Sequence, residues 1–162
     1  MSSIYIICID DEHQVLDVLI KDLEGLEEIF PIEVASSVPE ARILFAEILK
    51  SGNRIGLVVC DHIMPGEYGV DLLVEMQNKE ETKATRKILL TGQAGLDDTI
   101  NAVNNARLNH YIAKPWNPDY LLKVAKNELT NYVLENEKDL LQYMRLLDST
   151  RIQEAIRNRG YI

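Results

Sequence analysis

Leu57-Val58-Val59-Cys60-Asp61-His62-Ile63-Met64-Pro65-Gly66-Glu67-Tyr68-Gly69 is the stretch on which the reading of the chain turns. Its first four residues are apolar, β-branched at Val58 and Val59, and free of polar alternation. A parallel strand covered by helices on both faces has that pattern, because it has no solvent side. The strand delivers one carboxylate, Asp61, at its carboxyl end, the edge at which ligands gather in open α/β sheets. Pro65-Gly66 and Gly69 are turn residues that fold the backbone over this acid before the next helix.

Upstream, Ile4 to Ile9 is a second apolar strand, and it runs into Asp10-Asp11-Glu12. Three consecutive acids repel one another, which is tolerable only where water or a cation reaches them. Val15, Val18, Leu19, Leu23 and Leu26 then recur at helical spacing. Ile32 to Ala35 is a short strand, and Ser36-Ser37-Val38-Pro39 opens a helix with proline in its first turn and Ala41, Leu44, Phe45 and Ile48 on one face. Downstream of Gly69, Val70, Leu73, Val74 and Gln77 mark a short helix, followed by a polar linker over 78–85. Ile88-Leu89-Leu90 is the fourth strand and ends at Thr91-Gly92. Asp97 is placed to cap a polar helix carrying Ile100, Val103 and Arg107. His110 to Ala113 is the fifth strand, ending at Lys114-Pro115-Trp116, and Leu121, Leu122, Ala125 and Leu129 line the helix after it. Five strands alternating with five helices predict an α/β fold: a doubly wound, five-stranded parallel sheet in the flavodoxin-like order 2-1-3-4-5, with a C-terminal helical extension.

The 162 residues carry a formal charge of -9. Residues 131–162 hold five basic and five acidic side chains, so the acidic excess lies in residues 1–130. That excess disfavours nucleic acid and anionic membranes as partners. Cys8 and Cys60 sit inside apolar runs, where a thiol is a small buried hydrophobe, and no cysteine framework accompanies them. Together with the lack of a leader-like start or an apolar run of about 20 residues, this predicts a reducing, cytoplasmic setting. The chain divides into a main domain over 1–130 and an extension over 131–162.

A parallel sheet brings Asp10, Asp11, Asp61, Thr91 and Lys114 to one edge. Singly each has an ordinary structural reading: a solvated capping pair, a strand-end hydroxyl, a surface lysine. Three carboxylates and one ammonium gathered together call for a hard divalent cation with oxygen ligands, most simply Mg²⁺ retaining several waters. Asp11 and Asp61 are the expected direct ligands, with Asp10 acting through a bound water or by orienting the others. A carboxylate beside Mg²⁺ can attack phosphorus and become an aspartyl phosphate. Lys114 would neutralise charge on the transferring phosphoryl group, and the Thr91 hydroxyl with backbone N–H groups near His62 and Gly92 would hold its oxygens. His62 is expected to face solvent, and His13 and His110 lack metal-ligand spacing.

Taken in order, Ile9-Asp10-Asp11-Glu12, Asp61 followed by Met64-Pro65-Gly66 and Gly69, Thr91-Gly92, and Tyr111 three residues before Lys114-Pro115 resemble the receiver domain of two-component response regulators. The resemblance covers residues 4 to about 130. It implies a phosphorelay switch in which Asp61 is the phosphoacceptor, receiving its phosphoryl group from a histidine kinase or a histidine phosphotransfer protein. It further implies that Asp10, Asp11, Asp61 and the Ile63 backbone carbonyl serve Mg²⁺, that Thr91 and Lys114 stabilise the phosphoryl group, and that Thr91 and Tyr111 form the switch. It implies no enzyme beyond self-catalysed phosphoryl transfer and loss. Tyr111 read by itself is equally a half-buried aromatic strand residue.

Tyr68 departs from the family pattern, and the interval from Asp11 to Asp61 is long for it, which predicts an enlarged loop near Leu26 to Phe30 or Lys50 to Arg54. Lys114-Pro115-Trp116 is similar to the ending of receivers joined to cyclic-nucleotide enzymes such as HD-GYP phosphodiesterases, so a receiver front end of such an enzyme is one alternative. A Mg-dependent aspartate-nucleophile phosphohydrolase is another, although its motif carries a second acid two residues after the nucleophile, where this chain has Ile63. A flavin carrier shares the fold, but Asp10-Asp11-Glu12 would repel its phosphate.

From the end of the main domain into the extension, Leu129, Val133, Asn136, Leu140, Met144 and Leu147 advance by three or four, the spacing of a helix seam. The expectation is a helix continuing from the fifth, serving as a homodimer or relay element with Asn136 setting register. The alternative is a helix folded back on its own domain.

Overall fold

The computed structural model describes residues 2–92 and 96–160, without the side chains of residues 96–99 and 102. Its elements are β1 (Ile4–Ile9), α1 (His13–Leu23), β2 (Ile32–Ala35), α2 (Val38–Lys50), β3 (Arg54–Asp61), α3 (Gly69–Gln77), β4 (Arg86–Thr91), α4 (Leu96–Asn105), β5 (His110–Ala113), α5 (Pro118–Asn136) and α6 (Ser149–Asn158). Single 3-10 turns occupy Glu24–Leu26 and Leu141–Tyr143. The five strands are parallel, in the predicted order β2-β1-β3-β4-β5.

Each central strand carries a continuous apolar run, Ile4–Ile9 in β1, 57–60 in β3 and 88–90 in β4, because both faces are covered. Ile6, Cys8, Leu57, Val59, Ile88 and Leu90 pack in one layer with α1 and α5, while Ile7, Ile9, Val58, Cys60 and Leu89 pack in the other with α2 and α3. On α1 the buried stripe is Leu16, Leu19 and Leu23; Val18, expected inside, is exposed. Ser37 caps α2 by accepting the Glu40 N–H at 3.2 Å. Helix α4 already begins at Leu96, so Asp97 lies within its first turn, with its side chain outside the described residues. The helix ends at Asn105, and Arg107, expected on it, instead takes left-handed backbone at φ 53°.

The extension departs from a single continuous helix. Helix α5 stops at Asn136, whose side-chain amide donates to the Tyr132 carbonyl at 2.9 Å, and Glu137 is extended. The amide thus closes a helix end and does not set the register of a pair. Glu137 is held there by Arg54 Nη1 at 2.5 Å and by the Tyr143 hydroxyl at 2.8 Å. Beyond it, Leu140, Tyr143, Leu147, Ile152 and Ile156 are buried in the same layer as α1 and α5. Leu129, Val133, Leu140 and Leu147 of the stripe expected to pair with a second copy are therefore covered by their own domain, while Asn136 is exposed and Met144 half-buried. The tail docks on the long segment after α1: Phe30 is fully buried and stacks on Tyr143 with ring centroids 5.8 Å apart, and Arg145 pairs with Glu28. Arg159 donates to the Leu134 and Glu137 carbonyls at 2.6 and 2.8 Å, satisfying acceptors left open at the end of α5.

Candidate functional site

Parallel pairing places the carboxyl ends of β1, β3, β4 and β5 side by side. Asp10 follows the last residue of β1, Asp61 ends β3, Thr91 ends β4, and Lys114 follows β5. Asp61 pairs in register with Leu90, one residue before Thr91, and the Lys114 N–H donates to the Thr91 carbonyl at 3.1 Å. Asp10 is fully buried and Asp61 nearly so, whereas Asp11 is half-exposed. One carboxylate oxygen from each of these three acids lies within 4.8 Å of the others. An all-oxygen, acidic donor set of this kind suits a hard divalent cation.

Lys114 Nζ reaches Asp10 Oδ2 at 2.8 Å and Asp61 Oδ1 at 3.1 Å. The other Asp10 oxygen accepts the Glu12 N–H at 2.9 Å. Burial and the charge of Asp10 push the Asp61 carboxyl above its ordinary value, against the opposing pull of Lys114 and the His62 backbone N–H. Burial weakens the Lys114 ammonium, but the hydrogen bond to Asp10 and the charges of Asp61 and Asp10 outweigh it, so its pKa is raised. With three carboxylates against one ammonium, the cluster retains uncompensated negative charge, which an added cation relieves.

The loop after Asp61 is shaped by two glycines. Gly66 takes φ +91°, a conformation that residues with a Cβ rarely adopt. At Gly69 an added Cβ would stand 1.9 Å from the Asp61 carbonyl oxygen, so only glycine lets α3 start this close to the acid. Cys60 also donates its S–H to that carbonyl, at 3.1 Å.

The structure brings Asp10, Asp11, Asp61 and Lys114 together and sets Thr91 at the same edge, half-buried. Ile63 stands two residues past Asp61 and is exposed. Tyr111 lies on β5 with its side chain outward, 56% exposed. His62 overturns its expectation: it is 2% exposed, accepts the Val70 N–H through Nδ1 at 3.3 Å, and lies against Tyr68 with centroids 5.2 Å apart. Arg42 was also missed; its guanidinium binds Glu67 of the loop and Glu75 of α3. A histidine inside a turn-rich stretch gives no burial signal, and nothing in spacing links position 42 to position 67.

Comparison with known proteins agrees with this geometry. The hydrogenase transcriptional regulatory protein HoxA of Cupriavidus necator is 30% identical over 132 residues, which cover 82% of this chain and 25% of that protein. The chain thus spans about a quarter of the length of this curated relative. A CheY-like response regulator receiver domain protein from Methanospirillum hungatei superposes with a TM-score of 0.71 at 27% identity, covering 83% of this chain and 100% of that one. The signal receiver domain of an HD domain-containing protein from Pseudomonas fluorescens shares the fold at a TM-score of 0.72 and 24% identity, covering 86% and 96%. Among the described residues, no helix is long and apolar enough to cross a membrane. Residues 6–126 match the response regulator receiver domain, and the chain belongs to this receiver family of two-component signalling.

Proposed function

We propose that the chain is a phosphorylation-dependent signalling switch in which Asp61 accepts a phosphoryl group from a histidine kinase or histidine phosphotransfer protein. Its family works by self-catalysed phosphoryl transfer and loss and not by turnover of a separate substrate. The observation that carries the assignment is the gathering of three carboxylates within 4.8 Å around a lysine bonded to two of them.

Asp61 is the nucleophile because it combines burial at the sheet edge with an ammonium at 3.1 Å that holds it ionised against the repulsion of Asp10. A carboxylate oxygen of Asp61 forms the new bond to phosphorus as the bond from phosphorus to the donor imidazole nitrogen breaks, its electron pair leaving with the nitrogen. Mg²⁺, when bound, neutralises charge on the phosphoryl oxygens. Asp11 and Asp61, with the Ile63 carbonyl, are the groups that would hold it. Both oxygens of Asp10 are already engaged by Lys114 and the Glu12 N–H, which supports an orienting role for that residue. Lys114 is placed to follow charge from Asp61 onto the phosphoryl group, and Thr91 to donate its hydroxyl.

The same reading assigns the output to the surface made by β4, α4 and β5. Phosphorylation puts a phosphoryl group of about -1.5 to -2 charge, with strong acceptor oxygens, where the singly charged carboxylate stood, which draws the Thr91 hydroxyl inward and vacates room for Tyr111 to turn in. Ile100, Val103, Tyr111 and Tyr120 are exposed on this side, which suits a surface that meets a partner.

The test is labelling with acetyl phosphate and Mg²⁺. Wild-type protein should gain one phosphoryl group on Asp61, sensitive to hydroxylamine, and should gain none when the metal is chelated beforehand. Retained stoichiometric labelling of Asp61→Asn would refute the assignment.

A further inference from the structure

We propose, building on the reading of Asp61 as the phosphoacceptor, that His62 and Arg42 are positioning residues that clasp the loop from Asp61 to Gly69 so that it is ready for the cation before the cation arrives. His62 makes contacts in three directions. Its backbone N–H donates to the Asp61 carboxylate, its carbonyl accepts the Gly69 N–H at 2.8 Å, and its Nδ1 accepts the Val70 N–H at 3.3 Å. The last two donors belong to the first turn of α3, where N–H groups lack a partner within the helix. One buried residue therefore ties the acid, the base of the loop and the start of α3 together, with the Tyr68 ring packed beside it.

The far side of the loop is held from α2. Arg42 Nη1 and Nη2 donate to the two carboxylate oxygens of Glu67 at 2.9 and 2.8 Å, and its Nε donates to Glu75 at 3.1 and 3.3 Å. A planar guanidinium binding one carboxylate through two bonds fixes direction as well as distance, which a lysine in its place would not do. Ile63, whose carbonyl is the expected backbone ligand, lies between the two anchors. A loop ordered in advance need not be ordered by the ion, so loosening either anchor weakens metal binding even though neither residue is a ligand.

The experiment is a calorimetric titration of the full chain with MgCl₂ alone, on wild type, His62→Leu, His62→Asn and Arg42→Met. His62→Leu should bind Mg²⁺ about tenfold more weakly, the lower end of the effect expected for groups that orient metal ligands. His62→Asn, whose side-chain oxygen can stand where Nδ1 stands, should recover most of that loss. Arg42→Met, a surface change, should weaken binding severalfold while the protein stays folded. Labelling by acetyl phosphate should then show a raised Mg²⁺ requirement in His62→Leu and Arg42→Met, with a rate at saturating Mg²⁺ close to wild type. Wild-type Mg²⁺ affinity in both Arg42→Met and His62→Leu would overturn the proposal, as would His62→Asn binding no better than His62→Leu. If His62→Leu does not fold, Arg42→Met and the comparison of His62→Asn with wild type decide. Absence of any labelling of the wild-type protein would strike the phosphoacceptor reading, whereas the affinities judge the clasp independently of it.

Discussion

Replacing Lys87 with methionine should change stability by an amount that depends on pH. Lys87 lies near the start of β4, at the opposite end of the strand from Thr91, and is 1% exposed. Its ammonium donates to two neutral acceptors, the Thr85 carbonyl at 2.9 Å and Gln77 Oε1 at 3.2 Å. Burial, followed by the like charges of Arg86 and Arg107, pushes its pKa down to about 8 from the ordinary 10.5. The unfolded chain therefore holds this proton more tightly, and keeping the buried ammonium costs the fold about 3 kcal/mol at neutral pH. The penalty is complete below about pH 8 and fades as pH rises toward the unfolded value. Methionine removes the penalty at every pH. It also leaves two acceptors short of a donor, a loss of about 1 to 3 kcal/mol that does not vary with pH. The sign of the difference at one pH is thus ambiguous, but its change with pH is not. Urea unfolding at about pH 7 and about pH 9.5 should show wild type gaining about 2 kcal/mol on Lys87→Met between the two. A constant difference would refute the reasoning. Labelling of Asp61 should be unaffected, because the substitution lies at the far edge of the sheet.

Asp61→Asn should stabilise the protein at neutral pH by about 1 kcal/mol, since it removes one of the mutually repelling carboxylates. Burial and Asp10 raise the Asp61 pKa, so the penalty is absent below the ordinary carboxylate range and complete above the raised value. Urea midpoints that do not rise at neutral pH would contradict this. Lys114→Met should lose about 3 kcal/mol by leaving the buried Asp10 and Asp61 without their counter-charge, and millimolar Mg²⁺ should restore part of the loss; an unchanged midpoint without metal would argue against the pairing. Truncation after Asn136 should expose Phe30, which stacks on Tyr143, with the apolar layer that Leu140, Leu147, Ile152 and Ile156 help to fill, and cause self-association visible by light scattering. A truncated chain that stays monomeric and as stable as the full one would show that the tail contributes little to the core.

The sheet was legible because a strand buried on both faces leaves an uninterrupted apolar run, as in β1, β3 and β4, and these runs with two shorter edge strands alternate with helical spacing, the pattern of a doubly wound sheet. The candidate site followed from the same fact, since Asp10, Asp61, Thr91 and Lys114 each stand at the end of a strand, and parallel strands end on one edge. Helix faces were less legible. On α1, Leu16 and Val18 are both apolar, and only packing against the sheet decides that Leu16 turns inward and Val18 does not.

What the sequence by itself determined is the order of the strands and the set of groups gathered at their carboxyl ends, because both depend on local pattern and on connectivity. What only the tertiary structure decided depends on contacts between distant residues. Asn136 ends a helix and does not register a pair, because Glu137 is captured by Arg54 and Tyr143. The stripe beyond it is covered by Phe30 and its neighbours, more than a hundred residues earlier in the chain. Burial of His62 and Lys87 is likewise invisible from composition, since a polar side chain is hidden only where other groups complete its hydrogen bonds, here the Val70 N–H for His62 and the Thr85 carbonyl and Gln77 side chain for Lys87, and only the packing of α3 against the sheet puts those groups in place.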